Sequence, residues 1–174
     1  MSSWITHALP GAVAYAASLL GDRNKAEDVV QECVCRLLRH AARYDLERDG
    51  RKLLYRAVTN ACINRATRDR HNASLDEIGR GSDDGSWEVH DLSALAPPDL
   101  AIADEMRETV RRGLMTLPIV HRSAIELWSL GYSTDEIAEM LSLGPGNVRV
   151  IVHRAKKTME EFLRGENVIE QEGE

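Results

Sequence analysis

Between Asn72 and Asp99 the chain reads NASLDEIGRGSDDGSWEVHDLSALAPPD. Ser, Gly, Asp and Pro dominate, and no apolar residue recurs at a helical or strand period. This is linker composition, from which no core can be built. Each flank must therefore bury a core of its own. Apolar residues make up 43% of the chain and aromatics only 5%. That balance suits small helical units better than a sandwich or barrel. The reading is all-α, with two small helical domains joined by an acidic linker.

Helical spacing on the N-terminal side supports this. PGAVAYAASLL reads as a short apolar helix stopping at Gly21. Asn24 and Glu27 have capping-box spacing for a second helix. Its apolar side is Ala26, Val30, Cys33 and Leu37, with Val29 and Leu38 beside them. RYDLERDG is a polar break. A third helix is expected over about Arg51 to Asp69. It turns Leu54, Val58, Ala61 and Cys62 one way and Arg56, Asn60, Asn64 and Arg68 the other.

On the C-terminal side, periodicity resumes near Ile102 and persists to about Arg164, before an acidic tail expected to fray. Within it lies GYSTDEIAEMLSLGPGNVRVIVHRAKK. Ser133 and Glu136 form a capping box, so a helix starts at Thr134. Leu143-Gly144 supplies a turn, and Pro145 suits the first position of the next helix. In the first helix Ile137, Ala138 and Leu141 face inward. In the second, Val148, Ile151, Val152, Ala155, Met159 and Phe162 form the buried stripe. Asn147, Arg149, Val150, His153, Arg154 and Lys157 stay outward. Cap, turn and charge agree on a helix-turn-helix, whose second helix can read a DNA groove. The other reading is a helical hairpin with a solvated cationic face. The expected domains are 1–71, a linker over 72–101, a helix-turn-helix domain over 102–165, and a tail over 166–174.

The net charge of -6 conceals blocks. From Arg36 to His71 ten Lys/Arg oppose four acids. From Asn72 to Val110 two Arg oppose ten acids. From Pro145 to Arg164 five basic residues oppose two acids. Basic blocks around an acidic connector suit a polyanion partner, or equally three solvated surfaces.

No apolar run approaches the ~18 residues of a membrane span, and the N-terminus lacks the basic region of a signal peptide. Three cysteines without a CxxC suit a reducing cytoplasm. Cys33 and Cys35 lie about 200° apart on a helix. They cannot share a metal with each other or with His40 unless another element contributes, so no metal site is expected. No phosphate loop or nucleophile–base pattern is present. Neither an enzyme nor a cofactor is expected.

GDRNKAEDVVQECVCRLLRH resembles the polymerase-binding helix of bacterial extracytoplasmic-function sigma factors. LLYRAVTNACINRATRDR resembles the helix that follows it in that family. LPIVHRSAIELWSLGYSTDEIAEML and NVRVIVHRAKK resemble the promoter-binding domain. The order is the family's, with an acidic linker in the family's place. The chain departs from it at Ser142, usually Gly, and at Gly144, usually a Ser-type cap. Ile151 stands where Arg is frequent, and Asn64 where Asp is.

The resemblance implies a promoter-specificity subunit with core RNA polymerase and promoter DNA, duplex and opened strand, as partners. It admits an anti-sigma protein as a further partner. Asp28, Gln31 and Glu32 match the polymerase-docking motif; unaided, they read as a solvated acidic face. Arg56, Asn60, Arg65 and Arg68 match the helix at the downstream element. Tyr44 would stack on a flipped base and Arg48 hold backbone phosphate, although Tyr44 also fits a helix-end core position. Asn147, Arg149, Val150, His153, Arg154 and Lys157 would face the upstream element. The linker would thread basic polymerase channels or serve as a charged spacer. The rival function is a dimeric helix-turn-helix regulator acting without polymerase.

Overall fold

The computed structural model describes residues 3–75 and 97–172. Among the described residues there are seven α-helices and one 3₁₀ turn. Contacts divide the chain into two compact units, one built on the first three helices together with Ala138–Leu143 and one on the rest of the C-terminal half. Most of the expected linker, residues 76–96, lies outside the described residues.

The first unit comprises α1 (Ser3–Leu20), α2 (Arg23–Arg39) and α3 (Leu46–Leu75), each packed on the other two. Helix α1 begins earlier than Pro10, which sits inside it. Proline removes one N–H from the ladder there. Its buried face is Ala8, Ala12, Tyr15, Ala16 and Leu19. The alanines of that face, with Gly11 beside them, let α3 approach closely. A Cβ on Gly11 would lie 2.8 Å from the Tyr55 hydroxyl. The helix ends on Gly21 in the left-handed region (φ 68), whose N–H donates to the Ala17 carbonyl at 2.8 Å.

Helix α2 is capped by Asp22, whose carboxylate accepts from the Lys25 N–H at 3.0 Å. The expected Asn24–Glu27 box is not formed, and Glu27 pairs with Arg23 instead. Ala26, Val29, Val30 and Cys33 are buried, as the spacing predicts, but Leu38 is exposed. Helix α3 starts five residues before the expected Arg51, because Asp45 accepts from the Arg48 N–H at 3.2 Å and caps it. Leu54, Tyr55, Val58, Thr59 and Cys62 are buried. The Thr59 hydroxyl among them is satisfied. Thr59 donates to the Tyr55 carbonyl at 2.6 Å and shares a 2.8 Å hydrogen bond with the Tyr15 hydroxyl.

The C-terminal half contains α4 (Pro97–Thr116), α5 (Ile119–Ser129), α6 (Thr134–Leu141) and α7 (Pro145–Glu172). In the second unit α4 and α5 pack on α7. Leu117, Ala155 and Met159 form a core, with Val110, Leu114 and Ile125 against it. A Cβ on Gly113 would come within 2.8 Å of Phe162 and 2.9 Å of Met159. Arg112 of α4 pairs with Glu166 of α7 at 2.7 Å. Val148, Val152, Ala155 and Met159 are buried as predicted; Ile151 and Phe162 are only half-buried. Helix α7 continues through Glu172, across the stretch read as a fraying tail.

Both helix ends ahead of α7 are Schellman turns. At the first, Tyr132 N–H donates to Leu127 and Gly131 N–H to Trp128, with Gly131 at φ 90. At the second, Leu143 N–H donates to Ala138 and Ser142 N–H to Glu139, with Ser142 at φ 55. The chain reversal expected at Leu143-Gly144 thus begins one residue earlier, on Ser142.

Candidate nucleic-acid interface

The cap of α6 fixes the entry to the helix-turn-helix. Ser133 N–H donates to the Glu136 carboxylate at 2.9 Å, and Glu136 N–H returns to the Ser133 hydroxyl at 3.3 Å. That is the reciprocal box read from the sequence. Gly144 takes the cap position of α7 and its carbonyl accepts from Val148 N–H at 3.1 Å. Pro145 follows as the first helical residue.

Burial of Val148, Val152, Ala155 and Met159 leaves the opposite arc of α7 in solvent. Asn147, Arg149, Val150, His153, Arg154 and Lys157 are all exposed. Seven residues are nearly two turns, so Asn147 stands with Arg154, Arg149 with Lys156 and Val150 with Lys157. Three parallel rows result. Among the described residues Arg149, His153 and Arg154 make no ion pair, whereas Lys157 lies 3.8 Å from Glu161. Arg149 and His153 meet in a shallow cleft of ≈ 210 Å³ lined also by Trp128, Thr134, Val152 and Lys156. The Lys156 ammonium sits 3.2 Å from the centroid of the Trp128 ring. Sequence reasoning missed both residues. Lys156 was legible as the partner of Arg149 at seven residues' spacing, but the approach of Trp128 from α5 was not.

In the first unit Asp28, Gln31 and Glu32 are exposed on α2, opposite its buried side. Asp28 makes no ion pair among the described residues. Glu32 is engaged by Arg36. Cys33, beneath them, has its thiol pushed above the usual range by burial; Arg36 opposes that and Glu32 adds to it. Cys35 is exposed.

Tyr44 follows the 3₁₀ turn Ala41–Arg43 and is 47% exposed, outside the core. Arg48 lies in the first turn of α3 and not in a loop. Its guanidinium forks on Asp49 at 2.8 and 3.1 Å. Chiefly through that hydrogen bond, it holds the Asp49 carboxyl below the ordinary range. Asp49 occupies one edge of the Arg48 guanidinium, and the side chain is otherwise exposed. Farther along α3, Asn60 and Arg68 are exposed while Arg56 and Arg65 are half-buried. A polar row thus lines the outer side of α3.

Comparison with known proteins decides what such a pair of units is. The family model for Sigma-70 region 2 matches residues 4–72, and that for Sigma-70, region 4 matches residues 107–159. The ECF RNA polymerase sigma factor SigL of Mycobacterium tuberculosis is 30% identical over 152 residues, 86% of this chain and 81% of SigL. The chain belongs to the ECF family of RNA polymerase sigma factors. SigW of Bacillus subtilis is 28% identical over 149 residues, 84% of this chain and 79% of SigW. A co-crystal structure of the sigma factor RpoE with the anti-sigma factor NepR from Bartonella quintana shares the fold. Its TM-score is 0.71 at 23% identity, covering 92% of this chain and 94% of that one. This sigma factor is a promoter-specificity subunit and a DNA-binding transcription initiation factor. Among the described residues none of its helices is long and apolar enough to cross a membrane.

Proposed function

We propose that the two units divide the work of initiation. Residues 1–71 dock on core polymerase and open the duplex, and residues 102–165 grip the upstream promoter element as duplex. Residues 72–101 connect them as an acidic linker. The observation that carries this reading is the cationic face of α7, turned away from its own core, on which Arg149, His153 and Arg154 make no ion pair among the described residues. On that face Arg149, Val150 and Asn147 lie nearest the N-terminal end, from which a recognition helix reaches base edges. Arg carries a fork for guanine, and Val150 an apolar surface for a thymine methyl. Arg154 and Lys157, farther along, suit phosphates.

Asp28, Gln31 and Glu32 form the docking face. Charge complementarity at such a face raises association rate and specificity more than raw affinity. Arg56, Asn60, Arg65 and Arg68 meet the downstream element, Tyr44 stacks on an unpaired base, and Arg48 holds backbone phosphate. No side chain is assigned a catalytic role, a metal or a cofactor. The site of action is the cytoplasm, where polymerase and promoter are, and an anti-sigma protein is a further partner.

The deciding experiment mixes the chain with core RNA polymerase and bacterial DNA fragments and maps transcript starts. Core alone gives no defined starts, the full chain confers them, and a fragment from Asp104 to Glu174 does not. High-affinity duplex binding without polymerase, with a palindromic footprint and no start-site selection, would replace this reading with a dimeric regulator.

A further inference from the structure

We propose that Trp128 is a positioning residue, holding Lys156 so that it meets a phosphodiester of promoter DNA in the cleft beside Arg149 and His153. The inference rests on the reading of α7 as the DNA-facing helix and extends it to α5. Trp128 is a large aromatic left 47% exposed at the end of α5, where no core requires it. Its backbone is fixed, since its carbonyl accepts from Gly131 N–H at 3.1 Å within the Schellman turn. The backbone that carries the ring is thereby set. A lysine on a helix surface samples many rotamers, and ordering it on binding opposes affinity. The Trp128 ring removes that disorder in advance by taking the ammonium 3.2 Å from its centroid.

Ring contact occupies one side of the ammonium and leaves donors free for a second, anionic partner. The other polar groups of the cleft are the Arg149 guanidinium, the His153 imidazole and the Thr134 hydroxyl. None is a carboxylate. A compact ammonium without a fork suits phosphate rather than a base edge. Lys156 thus contributes affinity without sequence preference, beside an Arg149 that reads sequence.

The test uses the full chain with core polymerase on matched and scrambled promoter duplexes across a salt series. Lys156→Ala lowers affinity on both duplexes alike and reduces the salt slope by about one. Trp128→Leu lowers affinity about threefold to tenfold, and Trp128→Phe, which keeps a ring face, loses less. In the Lys156→Ala background Trp128→Leu causes no further loss. Additive losses, equal losses for Leu and Phe, or an effect confined to the matched duplex would overturn the proposal. Failure of the parent reading looks different. There the wild-type chain confers no start sites and Arg149→Ala leaves DNA binding unchanged, and the assignment of Trp128 falls with it.

Discussion

Arg122 of α5 donates to the carbonyl of Leu117 at 3.0 Å, at the corner where α4 ends. The same guanidinium reaches the Met115 carbonyl at 3.2 Å. A helix leaves its last carbonyls without partners, and here an arginine that is 6% exposed supplies them. Replacing Arg122 by Ala removes charge-assisted bonds and leaves those carbonyls unpaired. We expect a loss of about 2–3 kcal/mol in the second unit, read as faster amide exchange in α4 and α5 with α2 unchanged. Stability equal to wild type would show that water replaces the guanidinium there.

Ser142 adopts φ 55, the conformation that glycine takes at the other Schellman turn. A side chain in that region is disfavoured by about 1 kcal/mol. Ser142→Gly should therefore stabilise the chain by up to that amount, whereas Ser142→Val should destabilise it. A urea melt in which Ser142→Gly is less stable than wild type would mean that the serine side chain compensates for its backbone.

Gly50 sits under the Trp4 ring, and a Cβ there would lie 2.6 Å from it. The obstacle is a rigid aromatic that cannot swing aside as a flexible side-chain end would. Gly50→Ala should cost about 1–3 kcal/mol by overpacking. Amide exchange should quicken in α1 and α3 and stay unchanged in α7.

Reversing Asp28 and Glu32 together to Lys should abolish capture by core polymerase. Both side chains are exposed, so helix content should hold. The Glu32–Arg36 pair becomes a like-charge pair at a cost of a few tenths of a kcal/mol. Unchanged co-purification with core would remove this face from the docking surface.

Thiol reactivity should separate the cysteines. Cys35 is exposed, and Cys33 and Cys62 are buried. Alkylation of the native chain near neutral pH should modify Cys35 first, with the other two reacting on unfolding. Burial raises the Cys33 thiol above its ordinary value. Its contribution to stability is therefore complete below the unfolded value of about 8.5 and is lost as pH rises through the folded one. An alkaline melt of Cys33→Ala should show a weaker decline than wild type. An identical decline would assign it to other groups.

The helix-turn-helix was the most legible part of the chain. Its boundaries depend on local chemistry, the Ser133–Glu136 box and Pro145, and both act within one turn of backbone. The same logic failed at α2, where two acceptors competed for the cap. Asp22 precedes Asn24 and reaches the Lys25 N–H, so Asn24 falls inside the helix. At α3 the charged stretch RYDLERDG has the composition of a break, yet its Asp45 caps the helix. What stayed hidden depends on distant residues meeting. Lys156 over Trp128 spans 28 positions of sequence, and no periodicity reports a ring arriving from another helix. Arg122 was hidden for a further reason: arginine is rarely buried, and nothing local marks the carbonyls that draw it in.

Helix α7 spans 28 residues, roughly 42 Å at 1.5 Å per residue. Its ion pairs are unevenly distributed. Arg149, His153 and Arg154 have none among the described residues, whereas Lys157 meets Glu161, Arg164 meets Glu160 and Glu166 meets Arg112. The far half thus carries its charges in pairs, and the near half presents its cations unpaired beside the helix N-terminus. Such charges act on a polyanion over the ~10 Å reach of electrostatics at 0.1 M salt, before contact is made. Added salt should therefore slow the capture of DNA more than it hastens its release.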